Sequence, residues 1–492
     1  MAEIKKYIAI DIGAESGRVI LGSVSSEKIE LAQVHRFDNG PIHEDGSLRW
    51  DFNKIFSEIK TGIARATKQA GAQVWSLGID TWGVDFGLLD SSGQLIENPY
   101  HYRDSRTDGV MEKAFELMSK EQIYENTGLQ FLQFNTIYQL FSMRLARSAA
   151  LARATNLLFM PDLFSYALCG KIYSEYTIAS TSQLMDMQTG QWSREIFDKL
   201  SLPLGIMAKT VKPGTVVGQV LAKVGSEIGC GPIPVIAVGA HDTASAVAAV
   251  PAGDNRWAYI SCGTWSLIGV ETAESVINDK TFEGDFTNEG GVEGTVHLLK
   301  NVMGLWLIQQ CKRQWESEGT ELSYEELTEV ADKAKPFKRY IDASDVNFLA
   351  PGDMPARIND YFERTGQKRV EDKGIIVRTV LEGLAFRVRW TIERLEEIIS
   401  EELDTLHIVG GGVQNELLCQ FVANAVGKKV IAGPVEATAA GNILMQAKAT
   451  GQIKSLEQLR GIVANSFELK QYQPQDKSTW DKHYKRISKL LR

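Results

Sequence analysis

Tyr7-Ile8-Ala9-Ile10-Asp11-Ile12-Gly13-Ala14-Glu15-Ser16-Gly17-Arg18-Val19-Ile20-Leu21 is an apolar run, a small polar turn and a second apolar run. This is the pattern of a β-hairpin with its turn at Gly13 to Gly17. Far along the chain, Trp257-Ala258-Tyr259-Ile260-Ser261-Cys262-Gly263-Thr264-Trp265-Ser266-Leu267-Ile268-Gly269-Val270 repeats the form, with Gly263 in register with Gly13 and Ser266 with Ser16. Two matching polar turns, one opening each half of the chain, imply an internal duplication. Glycine lets a backbone approach a ligand, and successive turn amides can face an anion, so each turn suits a phosphate. Either hairpin alone reads as a plain hairpin. The pair points to two domains holding one phosphate chain from opposite sides.

A chain of 492 residues is too long for one hydrophobic core, so two large domains are expected. Its 44% hydrophobic and 23% charged residues are those of an ordinary globular protein and argue against disorder. The 53 basic and 62 acidic residues give a net charge of −9, which leaves no basic footprint for nucleic acid. Lys5 and Lys6 precede an apolar stretch that Asp11 soon interrupts, and no stretch reaches the roughly 18 apolar residues of a membrane span. A cytoplasmic protein with a small-molecule task is expected, with neither nucleic-acid nor membrane partners, and no pattern speaks to its oligomeric state. The five cysteines are widely spaced and form no C-x-x-C pair, so neither a disulfide framework nor a structural zinc site is implied.

Pro234-Val235-Ile236-Ala237-Val238-Gly239-Ala240-His241-Asp242-Thr243-Ala244-Ser245-Ala246 reads as a buried strand, a tight small-residue turn and a closely packed helix. Asp242 falls at or near the helix N-terminus, where it serves either as a helix cap or as a delivered carboxylate, a candidate catalytic base. Val377, Leu381, Leu384, Val388, Ile392, Leu395 and Ile399 stand at helical spacing, and Leu406 to Val409 then form a strand ending in Gly410-Gly411-Gly412. Strand, glycines and helix suit a nucleotide, or else close packing of helix on sheet. The dinucleotide fingerprint and the G-x-x-x-x-G-K-[ST] loop are both absent from the sequence. The terminal stretch from Trp480 to Arg492 reads as a basic amphipathic helix packed on the first domain.

These segments, with Asp80-Thr81-Trp82-Gly83-Val84-Asp85-Phe86, Tyr102-Arg103-Asp104-Ser105-Arg106-Thr107 and Asn301-Val302-Met303-Gly304-Leu305-Trp306-Leu307-Ile308-Gln309, resemble the FGGY carbohydrate kinases over nearly the whole chain. The resemblance implies an α/β, two-domain actin-like ATPase (ribonuclease H-like) fold with duplicated domains and an interdomain cleft. Its boundaries would be 1–245 for the sugar-binding domain with the first phosphate turn, 246–470 for the nucleotide-binding domain, and 471–492 for a tail and helix packed on the body. It further implies an ATP site at Ala14, Glu15, Ser16, Gly17, Arg18, Thr264, Gln309 and Gly411. A sugar site would lie at Gly83, His241, Asp242, Thr243 and Asn301. Asp242 would be the base, and Asp11 would organise Mg²⁺ through water. The reaction so implied is transfer from Mg-ATP to the 1-hydroxyl of L-rhamnulose, with fuculose and xylulose as alternative substrates and a non-metabolic actin-like ATPase as the remote one. Ala14 and Tyr102 stand where many family members carry a hydroxyl residue and Trp. Glu15 would lend only its backbone, since a carboxylate beside the turn would repel phosphate.

Overall fold

In the computed structural model, which describes residues 3–71, 73–253 and 256–491, the first hairpin forms as strands Lys5–Ile12 and Ser16–Val24. Lys5–Ile12 is buried along most of its length and pairs on its other side, in parallel, with Val74–Thr81. Pro234–Ala237 adds in parallel to that strand, Thr215–Gln219 adds antiparallel to Pro234–Ala237, and Ile29–Asp38 closes the opposite edge. The helix Phe52–Ala70 covers one face of the sheet. Its Ile55, Ile59, Ile63 and Ala66 recur at helical spacing and are all buried, and Gly62 lets Val19 approach where any Cβ would clash.

The second hairpin, Trp257–Cys262 with Trp265–Thr272, starts another sheet. Thr405–Val409 pairs in parallel with Trp257–Cys262, Lys429–Ala432 in parallel with Thr405–Val409, and Lys470–Tyr472 antiparallel to that. Outward from each hairpin the pairing therefore runs antiparallel, parallel, parallel, antiparallel. The duplication inferred from two turns extends through the strand order. One detail of its alignment changes. Ile12 pairs with Gly17, whereas Cys262 pairs with Ser266, so the second turn is one residue shorter and Trp265, not Ser266, stands where Ser16 does.

The compact units interleave along the chain. One comprises Met1–Pro251, Glu271–Leu298 and Ala437–Ser466; the other comprises Ala252–Val270, Leu299–Glu436 and Phe467–Arg492. This differs from a single break near residue 245, and the reason is packing. In the first unit, helix Ala437–Ala449 lies so close to helix Asp242–Ala248 that a Cβ on Gly441 would overlap the carbonyl of Ser245. Its Asn442 and Gln446 bond to the strand residues Asp80, Ser76 and Ile8. The terminal helix Lys477–Ile487 also departs from expectation. It belongs to the second unit, where Trp480 packs against Phe337, Phe386 and Phe421 and Asp481 pairs with Arg389. Burial of Trp480, Tyr484, Ile487 and Leu491 absorbs its apolar face. Among the described residues no helix is long and apolar enough to cross a membrane.

Candidate active site

Alternation along Lys5–Ile12 leaves Asp11 at the end of the strand, opposite Arg18 on one neighbour and Asp80 on the other. Arg18 Nη2 meets Asp11 Oδ2 at 2.5 Å. Asp80 is fully buried, with one oxygen accepting from Asn442 Nδ2 and Oδ1 without a hydrogen-bond partner among the described residues. Burial, with Asp11 adding to it, holds the Asp80 carboxyl well above the usual carboxylate range.

The strand ends of Val74–Thr81 and Pro234–Ala237 lead to the same place. Thr81 N donates to Ala240 O at 2.9 Å, and Thr81 bridges to His241 in parallel. His241 caps helix Asp242–Ala248, so Asp242 is its first residue. The Asp242 side chain keeps 32% of its surface exposed, unlike the buried acids around it. Burial of its surroundings raises its pKa, the His241 charge opposes this, and Asp11 adds to it. Thr243 Oγ1 donates to Asp242 Oδ1 at 3.2 Å.

His241 lies between two carboxylates, with Nε2 3.5 Å from Asp242 Oδ1 and Nδ1 3.2 Å from Glu289 Oε2. Burial works to lower its pKa, but Glu289, with Asp242 and Glu175, outweighs burial and the net shift is upward. The amides before Asp242 are also held. Ala240 N donates to Glu175 Oε2 and His241 N to Thr177 Oγ1, both at 3.1 Å. Burial pushes Glu175 up to about 7. Sequence reasoning missed Glu175 and Glu289. The two glycines after Glu289 signal close backbone approach, but nothing local points to His241.

Gly83 sits in the turn after Val74–Thr81, where a Cβ would press on Thr181 at 3.2–3.3 Å. The next residue, Val84, has φ 68°, a left-handed conformation that a β-branched residue rarely adopts. Thr181 Oγ1 accepts from its N–H and Thr136 Oγ1 donates to its carbonyl, so side chains on both sides hold the strain. Asp85 is a structural acceptor for Trp50 Nε1, Trp82 Nε1 and Gln139 Nε2, and burial pushes it up to about 6. Arg106 spends its guanidinium on Gln139 and Ser142, over the Tyr100 ring.

At the first turn, Gly13 N donates to Ser16 O, while the carbonyls of Gly13 and Glu15 are taken by Asn39 Nδ2 and N. At the second, Gly263 N donates to Trp265 O, and the carbonyls of Gly263 and Thr264 accept from Leu305 N and from Gly304 and Trp306 N. With the carbonyls turned back, amide N–H groups are left to face an anion. Among the described residues no acceptor takes the amide of Ala14 or of Thr264. The three glycines after Thr405–Val409 divide the work. A Cβ on Gly412 would strike Cys262 Sγ at 2.2 Å and one on Gly410 would meet Cys262 O at 3.0 Å, whereas Gly411 faces open space. Gln309, on helix Trp306–Ser317, has a buried Oε1 without a partner among the described residues. Asn301 lies on strand Val296–Met303.

Asp11, Arg18, Gly83, His241, Asp242 and Thr243 thus share the first unit, and Thr264, Asn301, Gln309 and Gly411 share the second. Within the second unit the Thr264 amide, the Gln309 Oε1 without a partner among the described residues and the uncrowded Gly411 fit a nucleotide; within the first, the Ala14 amide fits an anion. No group of three or more His, Cys, Asp or Glu among the described residues could hold a metal by itself. Mg²⁺ keeps waters and takes phosphate oxygens, so it does not require such a group.

Fold and residues together define an ATP- and Mg²⁺-dependent small-molecule kinase built on the actin-like ATPase fold. The model of the FGGY family of carbohydrate kinases matches residues 6–249 with its N-terminal domain and 258–450 with its C-terminal domain. The chain belongs to the FGGY family of carbohydrate kinases. It is 43% identical to the rhamnulokinase of Bacteroides thetaiotaomicron, over 99% of this chain and 100% of that one. It is 40% identical to the rhamnulokinase of Halalkalibacterium halodurans, over 96% and 99%. Among solved structures, gluconate kinase from Lactobacillus acidophilus superposes with a TM-score of 0.82 at 16% identity, covering 99% of this chain and 98% of the other. Plasmodium falciparum glycerol kinase with ADP gives 0.77 at 15%, with the same coverage. At such identities the likeness is one of fold.

Proposed function

We propose that this chain phosphorylates L-rhamnulose at its 1-hydroxyl with Mg-ATP, giving L-rhamnulose 1-phosphate and ADP, with Asp242 as general base. The full-length likeness to rhamnulokinases supports the sugar. One observation carries the chemistry: Asp242 is a partly exposed carboxylate, fixed at a helix start and braced by His241, among acids that are buried. A primary hydroxyl is a poor nucleophile until a carboxylate takes its proton, a contribution of roughly 10²–10⁴-fold. Transfer otherwise depends on alignment and on neutralising phosphate charge.

Gly83, His241, Thr243 and Asn301 are assigned to the sugar, and Ala14 to Arg18, Thr264, Gln309 and Gly411 to the nucleotide. The first unit would mainly recognise sugar and the second nucleotide. Bound Mg²⁺ would neutralise phosphate oxygens, with Asp11 organising it through water and Arg18 orienting Asp11. The cytoplasm, where ATP is abundant, is the compartment this chemistry suits.

A coupled ADP-release assay with L-rhamnulose, L-fuculose, L-xylulose, L-ribulose, D-xylulose and glycerol tests the reading. Clear preference for L-rhamnulose is expected. Preference for another ketose would move the chain within the family, and sugar-independent release of ADP would remove the kinase reading.

A further inference from the structure

Glu289 lies on the short strand Thr287–Gly290, far from Asp242 in sequence, and its neighbours Asn288, Gly290 and Gly291 are closely held. Asn288 Oδ1 accepts from Val276 N, and Asn288 Nδ2 donates to the carbonyls of Gly128 and Val276. Gly290 N donates to Ser180 Oγ, and a Cβ on Gly290 would enter the Tyr176 ring. A Cβ on Gly291 would collide with Thr295 and His297. The segment is held by contacts on either side of Glu289, and the carboxylate it carries reaches His241 Nδ1 at 3.2 Å. A buried carboxylate is costly unless it has a charged or hydrogen-bonding partner, and His241 supplies one.

We propose that Glu289 is a positioning residue for the transfer: it holds the His241 ring with Nδ1 toward itself and Nε2 toward Asp242, so that the base stays ionised and aimed. This rests on the kinase reading above. The ionic contact at Nδ1, 3.2 Å from Glu289 Oε2, orients the ring, as a carboxylate does wherever a histidine must present its other nitrogen in one direction. Glu289 favours the charged form of the ring, and a charged ring offsets the charge of Asp242 and favours the form that can accept the hydroxyl proton. In the transfer that proton moves from the sugar oxygen to Asp242 as the oxygen bonds to phosphorus and the bond to ADP breaks. Glu289 and His241 end the step unchanged.

Other charged groups face the same pair. Asp11 and Asp80 face Asp242 from the sheet, with Arg18 beside Asp11, and all three carboxylates repel one another. Glu175 acts on His241 from beneath the turn. His297 faces Glu289 and His241, but burial pulls it down to about 3, so it is neutral and no substitute cation; Arg460 lies beyond it, paired with Glu271. Among them Glu289 is the acid in contact with the imidazole on the side away from Asp242.

The test is Glu289→Gln beside Glu289→Asp, read by pH profiles of kcat/KM and by the titration of His241 in histidine-labelled protein, assigned with His241→Gln. In Glu289→Gln the imidazole loses its carboxylate and gives up its proton at lower pH. Asp242 then loses a neighbouring cation and its pKa rises. The acid limb of kcat/KM is therefore expected to move to higher pH by on the order of one unit, with kcat down about tenfold. Glu289→Asp keeps the charge and is expected to keep the limb in place. An unmoved limb and an unmoved His241 midpoint in Glu289→Gln, or identical behaviour of the two variants, would overturn the proposal. If the unaltered protein phosphorylates none of the sugars, the kinase reading fails, and the positioning role in transfer falls with it. The His241 titration then reports separately whether Glu289 governs the ring.

Discussion

At the first turn the carbonyls of Gly13 and Glu15 are held by one residue, Asn39, acting through both its side chain and its amide. At the second turn the same work falls to backbone amides at 304 to 306, where a helix begins. The contrast continues at the strand ends. Asp11 and its partner Arg18 stand beside the first turn, whereas their counterparts in the ladder beside the second are Ser261 and Leu267. Duplication thus preserved a backbone shape and left the side chains free to diverge. Beside its turn one copy carries a charged pair, Asp11 and Arg18; the other carries Ser261 and Leu267 in the ladder, and glycines at 263 and 410 to 412.

If that division holds, the largest effect should come from the charged side. Asp242→Asn is expected to lower kcat by at least about 10²-fold while the KM values for ATP and sugar stay within a few fold. Steady-state kinetics checks it, and unchanged turnover would move the base to another acid.

Next comes the backbone brace. A Cβ on Gly304 would lie 2.6–2.8 Å from Gly263 O and from the carbonyl of Trp265, atoms that cannot swing aside. Gly304→Val is expected to distort the second turn, at the roughly 1–3 kcal/mol typical of overpacking, and to show as weaker ADP binding by calorimetry. Retained affinity would mean that this turn does not meet the nucleotide.

Asn39→Ala removes two side-chain hydrogen bonds, one to Gly13 O and one from Gly40 N, of which the bond to the turn is worth a net of about 0.5–1.5 kcal/mol. A several-fold weakening of the same binding is expected, smaller than for Gly304→Val because one brace, the Asn39 amide, survives. The smallest effect on the fold should be at Gly411. Gly411→Ala is expected to shift thermal stability by less than about 0.5 kcal/mol, while Gly412→Ala, which drives a methyl into Cys262, destabilises. Bulkier residues at 411 should weaken nucleotide binding first. Loss of sugar affinity with nucleotide affinity intact would reassign this loop.

The two hairpins were legible because apolar runs bounded by small polar turns leave a local trace, and Asp242 because a strand, a turn and a helix follow one another within a few residues. The triple glycine was legible as an element but not in its division of labour, which depends on Cys262 in a distant strand. Glu289, Glu175, Asn39 and Gly304 act through long-range contacts with no local periodicity. The one-residue difference between the turns was hidden because Ser16 and Ser266 match as letters while the ladder pairs Ser266 as it pairs Gly17. The terminal helix showed its apolar face plainly, but Phe337, Phe386 and Phe421, which receive it, come together only on folding.

Gly441 and Asn442 fix an order of events during synthesis. Asn442, which donates to one oxygen of the buried Asp80, lies 362 residues after it. A ribosome must make most of the second unit before it delivers the helix that packs on the sheet and on the helix Asp242–Ala248 of the first. Until then the strand carrying Asp80 and the helix carrying Asp242 wait with one side uncovered, which favours late, coupled completion of the two units over independent folding of the first as it emerges.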